Sequence, residues 1–275
     1  MEIILWSLAV LGGLGILFGI GLGVASKKLA VEVDQRVIDI RENLPGANCG
    51  GCGFPGCDGF AAALVKGEAE PSGCSVCSKE AASKIGEILG VEVTQGVRKA
   101  ARILCQGDEG HCGNKAEYDG VMDCRAAMLV AGGFRKCKFG CIGLGTCAAV
   151  CPFGAIVLGD DGIARIDEEQ CTGCGKCVEA CPQHGIVLMD ETVDTYLACR
   201  NTDFGKAVIS VCSAGCIGCK MCAKVCPEGA IEIVNNLPVI DQEKCTGCGL
   251  CKEKCKPGCL IGGKPREEMK EAVNA

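Results

Sequence analysis

Cys171-Thr-Gly-Cys174-Gly-Lys-Cys177-Val-Glu-Ala-Cys181-Pro182 is the stretch that decides the fold. Its spacing is C-x2-C-x2-C-x3-C-P. Four thiolates so placed can converge on one compact inorganic core, and glycines between close cysteines let backbone amides approach sulfur. The run recurs. Cys216, Cys219, Cys222, Cys226 and Pro227 repeat it, and Cys245, Cys248, Cys251 and Cys255 give a third copy with proline displaced to Pro257. A fourth, imperfect copy is CIGLGTCAAVCP, from Cys141 to Pro152.

These runs match those of bacterial-type ferredoxins, in which the fourth cysteine of each run ligates the other cluster of a pair. That rule groups Cys171, Cys174, Cys177 and Cys151 on one [4Fe-4S] cluster. It groups Cys216, Cys219, Cys222 and Cys255 on a second, and Cys245, Cys248, Cys251 and Cys226 on a third. In the imperfect copy Leu144 stands where its counterpart has Cys219, so one ligand is missing. Cys137 lies four residues before Cys141 and is the expected substitute, giving Cys137, Cys141, Cys147 and Cys181; a three-cysteine site is the alternative. Cys212 holds the same offset before Cys216, as one module duplicated at a shift of about 75 residues would leave it. Between half-motifs, AIVLGDDGIARID and AIEIVNNLPVID read as hairpins turning at Asp161-Gly162 and Asn235-Asn236.

The chain has 275 residues and 27 cysteines, all between Cys49 and Cys259, but only one Trp, two Tyr and seven Phe. Few large side chains are available to fill a core, so metal bonds are expected to supply stability. Disulfides fit poorly: the cysteine number is odd, no cleavable secretory signal is evident and the spacings are those of metal sites. Zinc ribbons use two separated cysteine pairs, not three close cysteines followed by C-P. A net charge of -6, without a long basic run, argues against nucleic acid.

Upstream, Asn48-Cys49-Gly-Gly-Cys52-Gly-Phe-Pro-Gly-Cys57 precedes a helical stretch and then Cys74, a distinct single-cluster spacing of C-x2-C-x4-C-x16-C. A helix beginning at Cys57 would aim its positive end at an anionic cluster. Cys77 competes with Cys74 as fourth ligand. Cys77, Cys105, Cys112, Cys124, Cys199, Cys212 and Cys259 are left over. They read as buried thiols, which pack as small hydrophobes. Alternatively Cys105, Cys112 and Cys124 form a further metal site with a ligand from elsewhere. His111 and His184 read as packing or solvent-facing residues. The count is thus about five [4Fe-4S] clusters, with one further iron–sulfur centre on the second reading.

Ile3 to Ala25 is a run of 23 residues without a charge, long enough to cross a bilayer and too long for a signal peptide's apolar core. Lys27-Lys28 follows it, so the positive-inside rule places the N-terminus outside and the cysteine domains in the cytoplasm, anchored to the cell (inner) membrane. Gly15, Gly19 and Gly23 could let another helix approach closely. The expected architecture is one transmembrane helix followed by small α+β iron–sulfur domains. These are an anchor (1–26), an amphipathic connector (27–43), a single-cluster domain (44–100) and a cysteine-containing linker (101–135). A ferredoxin-like module (136–190), a linker (191–210), a second module (211–262) and a charged tail (263–275) follow.

A single N-terminal membrane helix, a CGGCGFPGC…C domain and tandem ferredoxin modules, in that order, resemble the B subunit of the Rnf complex. Rnf is the membrane-bound ferredoxin:NAD+ oxidoreductase coupled to Na+ or H+ translocation. Two ferredoxin pairs resemble the longer version of that subunit. The departures are Leu144 and the shifted Pro257 with extra Cys259. The resemblance implies an electron-relay subunit that accepts electrons from soluble ferredoxin and passes them to flavin- and cluster-bearing partners that reduce NAD+. No dinucleotide loop or catalytic acid–base pair is visible, so no catalytic residue is expected in this chain. An iron–sulfur subunit of another membrane redox complex, of hydrogenase or formate-oxidising type, is the alternative. Arg98-Lys99-Arg102 and Arg135-Lys136-Lys138 are candidate basic surfaces for an acidic ferredoxin; otherwise they are ordinary solvated charges.

Overall fold

The computed structural model describes residues 2–28, 34–93 and 96–262. The expected tail (263–275) and residues 29–33 of the expected connector lie outside the described residues. The first element, α1 (Glu2–Lys28), contains a window, Trp6–Ser26, with mean hydropathy 2.2 and none of it buried. At 1.5 Å per residue the helix is long and apolar enough to cross a membrane. Trp6 and Leu22 are 73% and 70% exposed, so nothing in the described chain covers them.

Three helices form the first cysteine domain: α2 (Gln35–Asn43), α3 (Gly56–Lys66) and α4 (Lys79–Leu89). Local chemistry fixes their ends. Asp34 accepts from the Arg36 N–H at the start of α2, and Ser78 accepts from the Ala81 N–H at the start of α4. Gly67 and Gly90 end α3 and α4 in the left-handed conformation. The apolar faces meet at Ile40, Phe60, Ala61, Leu64 and Ile85, and Phe54 packs on Phe60 with ring centroids 5.7 Å apart.

The first ferredoxin-like module begins nearer the N-terminus than the sequence suggested. Strand β1 (Lys99–Ile103) lies inside the expected single-cluster domain and linker, yet pairs antiparallel with β4 (Ile186–Asp190), Ile103 facing Ile186. Between them come α5 (Cys124–Leu129), α6 (Thr146–Ala149), the hairpin of β2 (Ile156–Leu158) and β3 (Ala164–Ile166), and α7 (Lys176–Ala180). The second module repeats the plan. Strand β5 (Thr195–Leu197) precedes α8 (Lys206–Ile209), α9 (Met221–Val225), the hairpin β6 (Ile231–Val234)–β7 (Leu237–Ile240) and α10 (Leu250–Glu253); β5 pairs with β8 (Leu260–Gly262). The segment expected as a linker, 191–210, therefore supplies a strand. Both hairpins turn where the sequence indicated: Asn235 and Asn236 take φ of 49° and 66°, as a tight two-residue turn requires.

Polar contacts tie the modules together, and Arg102 among them is buried. Arg102 donates to the Val193 carbonyl at 3.0 Å and to Glu168 Oε2 at 3.1 Å, and its guanidinium lies 4.9 Å from the centroid of the Tyr196 ring. Ser213 N–H donates to the His111 carbonyl at 3.0 Å, and Arg200 donates to the Gln183 carbonyl.

Candidate metal centres

All 27 cysteines are outside disulfides. Among the described residues, no group of three or more His, Cys, Asp or Glu side chains is placed to hold a single metal ion. Many of the cysteines instead gather in groups of four or five around separate hollows.

Within the first module, Cys151, Cys171, Cys174 and Cys177 wall a space of about 310 Å3. The hairpin strands and α7 bring them together over Ala100, Ala101, Ile156 and Ile186. The Ala101 N–H donates to Cys171 Sγ at 3.3 Å. Gly173, between Cys171 and Cys174, has φ of 69° and lies so close to the Lys99 carbonyl that a side chain would collide with it.

The Leu144-containing half-motif turns out differently from expectation. The space beside it, about 440 Å3, is walled by Cys124, Cys141, Cys147 and Cys181. Cys137, the expected substitute, does not line it. The reason is α5. Asp123 caps that helix by accepting from the Arg125 and Ala126 N–H groups, and the Cys124 N–H donates to Thr146 Oγ1 at 2.7 Å, next to Cys147. Ala127 and Ile142 are buried against Cys124, with Leu144 packed beside them. Leu144, at the position where the other half-motifs carry a cysteine, is an apolar support for the helix that delivers Cys124. The Gly185 N–H completes this wall, donating to Cys181 Sγ at 3.3 Å.

Between the modules, Cys105, Cys112, Cys137, Cys199 and Cys212 line a further space of about 360 Å3. Of the three cysteines considered for a further site, Cys105 and Cys112 line this space and Cys124 lines the neighbouring one. Cys105 precedes the first module's Cys141 as Cys199 precedes the second module's Cys216, and the contacts repeat. Cys105 Sγ accepts from the Gly107 and Cys141 N–H groups, both at 3.4 Å. Cys199 Sγ accepts from the Asn201 and Cys216 N–H groups, at 3.5 and 3.3 Å. Such amide donation to sulfur is what a ligated thiolate needs.

In the second module, Cys216, Cys219, Cys222, Cys255 and Cys259 line a space of about 370 Å3. Cys251 packs near Cys222, Cys226 and Cys255, with Cys245 and Cys248 close enough to raise its thiol pKa, though burial is the larger cause. The Ala230 N–H donates to Cys226 Sγ at 3.3 Å. In the first domain, Cys57 opens α3, its N–H donating to Asn48 Oδ1 at 2.8 Å, and packs with Cys52, Cys74 and Cys77. A hydrogen bond from Cys77 holds the Cys74 thiol down at about 6. Cys49 is half-buried nearby in sequence.

Do these walls fit iron–sulfur clusters? Burial pushes the Cys141 thiol up to about 12 and those of Cys147, Cys177 and Cys222 to about 11. Ionising such thiols needs a compensating metal core. The opposite sign of mismatch occurs at Arg135, which is 3% exposed. Its guanidinium donates to the carbonyls of Gly107, Cys112, Cys141 and Gly162, and none of the described ion pairs includes it. A buried cation without a carboxylate is costly, and an anionic thiolate-bound core on either side would offset it. The donor set and the stranded charge both fit.

Arg135 and Arg102, the latter 2% exposed, are therefore not surface charges, which removes them from the candidate docking faces. Arg98 is tied to the carbonyls of Glu168, Glu169 and Cys171. Neither histidine faces a cysteine-walled space as a ligand would. His111 bonds Asp108 at 2.7 Å on the surface, and His184 sits in a turn with φ of 48°. The signal that sequence reasoning missed for Cys124 was local: Asp-Cys-Arg-Ala-Ala-Met-Leu reads as a capped helix start.

Tandem dicluster modules, a separate cysteine domain and an apolar N-terminal helix define a multicentre iron–sulfur electron-transfer protein. Family comparison agrees: the FeS family (Fe-S cluster) matches residues 44–76, and the 4Fe-4S dicluster domain family matches residues 136–186 and 215–259. The chain is 46% identical over 95% of its length to the B subunit of the Na(+)-translocating ferredoxin:NAD(+) oxidoreductase complex of Acetobacterium woodii, covering 79% of that protein. Two further relatives are each 42% identical over 89% of its length. They are the B subunits of the ion-translocating oxidoreductase complex of Methanosarcina acetivorans and of the proton-translocating ferredoxin:NAD(+) oxidoreductase complex of Clostridium ljungdahlii, of which 93% and 87% are covered. The chain belongs to the B-subunit family of ion-translocating (Rnf) oxidoreductase complexes.

Proposed function

We propose that this chain is the electron relay of such a complex, anchored by α1 with its cysteine domains on the cytoplasmic side. It would receive electrons from a soluble ferredoxin and deliver them to partner subunits that reduce NAD+, with Na+ or H+ moved elsewhere in the assembly. A [4Fe-4S] cluster, when bound, supplies one-electron redox chemistry at low potential. The chain's own part is to ligate, space and shield six such groups.

The proposed ligand sets are Cys49, Cys52, Cys57 and Cys74; Cys151, Cys171, Cys174 and Cys177; and Cys124, Cys141, Cys147 and Cys181. Cys216, Cys219, Cys222 and Cys255, then Cys226, Cys245, Cys248 and Cys251, make two more. The sixth set is four of the five junction cysteines, Cys105, Cys112, Cys137, Cys199 and Cys212. Cys124 takes the place that the sequence offset suggested for Cys137, which moves to the junction.

One observation carries the relay: the junction is wired the same way on both sides. The Cys141 amide reaches Cys105 Sγ, and the Cys216 amide reaches Cys199 Sγ. Gly51 of the first domain lies against the Cys174 carbonyl of the first module. These contacts link the first domain to the first module, and each module to the junction. The test is iron and acid-labile sulfide per chain after anaerobic production. Six sets predict about 24 of each. About 20 would empty the junction, and a sulfide-free protein would end the relay reading.

A further inference from the structure

Cys259 is a buried thiol that the proposed ligand sets leave unused. It is 2% exposed, and its Sγ stands 3.4 Å from Cys255 Sγ. It packs in one cluster with Cys216 and Cys199, and lines the same space as Cys216, Cys219, Cys222 and Cys255.

Comparison among the four half-motifs isolates what is new. Four residues beyond each fourth cysteine stand Ala155, Gly185, Ala230 and Cys259. The amides of Gly185 and Ala230 donate to Cys181 and Cys226 Sγ, both at 3.3 Å. The Cys259 amide likewise bonds Cys255. Cys255 therefore keeps the environment of a fourth ligand, and the Cys259 side chain is an addition where the other three half-motifs have Gly or Ala.

We infer that Cys259 is a positioning and tuning residue. Its S–H, 3.4 Å from Cys255 Sγ, donates a hydrogen bond to that sulfur, raising the reduction potential of the cluster Cys255 holds. The inference rests on the relay reading above. A reduced cluster carries one more negative charge than an oxidised one, so a donor to its ligand sulfur stabilises the reduced form more. The electron arrives from the redox donor, no bond breaks and no proton leaves Cys259. The direction of donation follows from the proposed ligand role: a cluster-bound thiolate has no proton to give, so in the 3.4 Å contact Cys255 sulfur accepts and Cys259 donates.

The experiment compares the full anaerobic chain with Cys259→Ala and Cys259→Ser, measuring iron, sulfide and an EPR-monitored potentiometric titration. In Cys259→Ala, iron and sulfide should equal wild type, while one component of the reduced signal needs a more reducing poise. Its reduced-to-oxidised ratio at fixed potential should fall roughly three- to tenfold, the worth of one hydrogen bond; tenfold corresponds to about 59 mV for one electron. Cys259→Ser, which retains a donor, should recover part of the shift. Unchanged titration in Cys259→Ala overturns the inference. So does loss of about four iron per chain, which would make Cys259 a ligand. A wild-type chain lacking iron and sulfide would overturn the relay reading with it, whereas a filled chain without a shift overturns this inference alone.

Discussion

Gly51→Ala tests the link between the first cysteine domain and the first ferredoxin-like module. A Cβ on Gly51 would stand 2.5 Å from the Cys174 carbonyl oxygen and 3.2 Å from its carbonyl carbon. Ordinary contact begins at 3.4 Å, so the two surfaces must part by about 3.4 − 2.5 = 0.9 Å. Gly51 is not among the residues with positive φ, so alanine adds no backbone strain and the clash stands alone. The obstacle is backbone beside a proposed cluster ligand, which cannot rotate away as a flexible side chain would. Beside this contact lies an open cleft walled by residues 72–79 of one domain and 169–175 of the other. Overpacking of this kind costs about 1–3 kcal/mol, which lowers the ratio of docked to undocked domains about 5- to 150-fold. Iron and sulfide should be unchanged, because every ligand thiol is retained and the clash is with the Cys174 backbone. Hydrogen–deuterium exchange should rise over residues 48–57 and 171–178, and ferredoxin-dependent NAD+ reduction by membranes containing the whole complex should slow. Wild-type exchange and wild-type turnover in Gly51→Ala would refute the contact's role.

Ligand sharing can be read from double substitutions: iron loss in Cys124→Ala with Cys147→Ala should be no larger than in either alone, whereas Cys137→Ala with Cys147→Ala should lose the sum of the two. Arg102→Met should lower stability by about 1–3 kcal/mol, since charged hydrogen bonds to Val193 and Glu168 are lost, with iron retained in anaerobic denaturation curves. At the α5 cap, the hydrogen bond from Arg125 holds the Asp123 carboxyl below its ordinary value of 3.8. A depressed folded value means the cap's contribution is complete above the unfolded pKa and is lost as pH falls through the folded one. Exchange over residues 121–131 should therefore rise below about pH 4 in wild type, be raised already at neutral pH in Asp123→Ala, and be free of that acid step in Asp123→Asn.

The half-motifs and both hairpins were legible because their information is local: cysteine spacing fixes which thiols lie near one another, and a pair of asparagines fixes a turn. Strands β1 and β5 were not. Each is short, three to five residues, and lacks alternation; each becomes a strand only because a partner, β4 or β8, returns from far along the chain. Cys124 was misread for a related reason. The duplication offset pointed to Cys137, whose counterpart Cys212 does lie at the same place in the second module. That symmetry was real, but both residues face the junction. What sequence offset could not convey is that α5 turns Cys124 inward over Leu144, a tertiary choice made by Ala127 and Ile142. Arg102 and Arg135 illustrate the reverse error, since a basic cluster in sequence says nothing about burial.

The asymmetry between the modules follows from one insertion. Residues 106–136 have no counterpart of equal length between Cys199 and Cys212, and they carry Cys112, Cys124 and Arg135. With α5 present, the first module can lose the cysteine at position 144 and still wall its space with four thiols. The same segment brings Cys112 to the junction and sets Arg135 between two of the cysteine-walled spaces, its nitrogens on the Cys112 and Cys141 carbonyls. Such a buried guanidinium, with only carbonyls for partners, opposes folding of the empty protein and is compensated when anionic cores stand on both sides. Most elements here are short: the ferredoxin-like helices have four to six residues and the strands three to five, too few to persist alone. On the proposed ligand sets, cofactor loading and folding are coupled at the insertion, where a charge as well as a set of thiols awaits its counterpart.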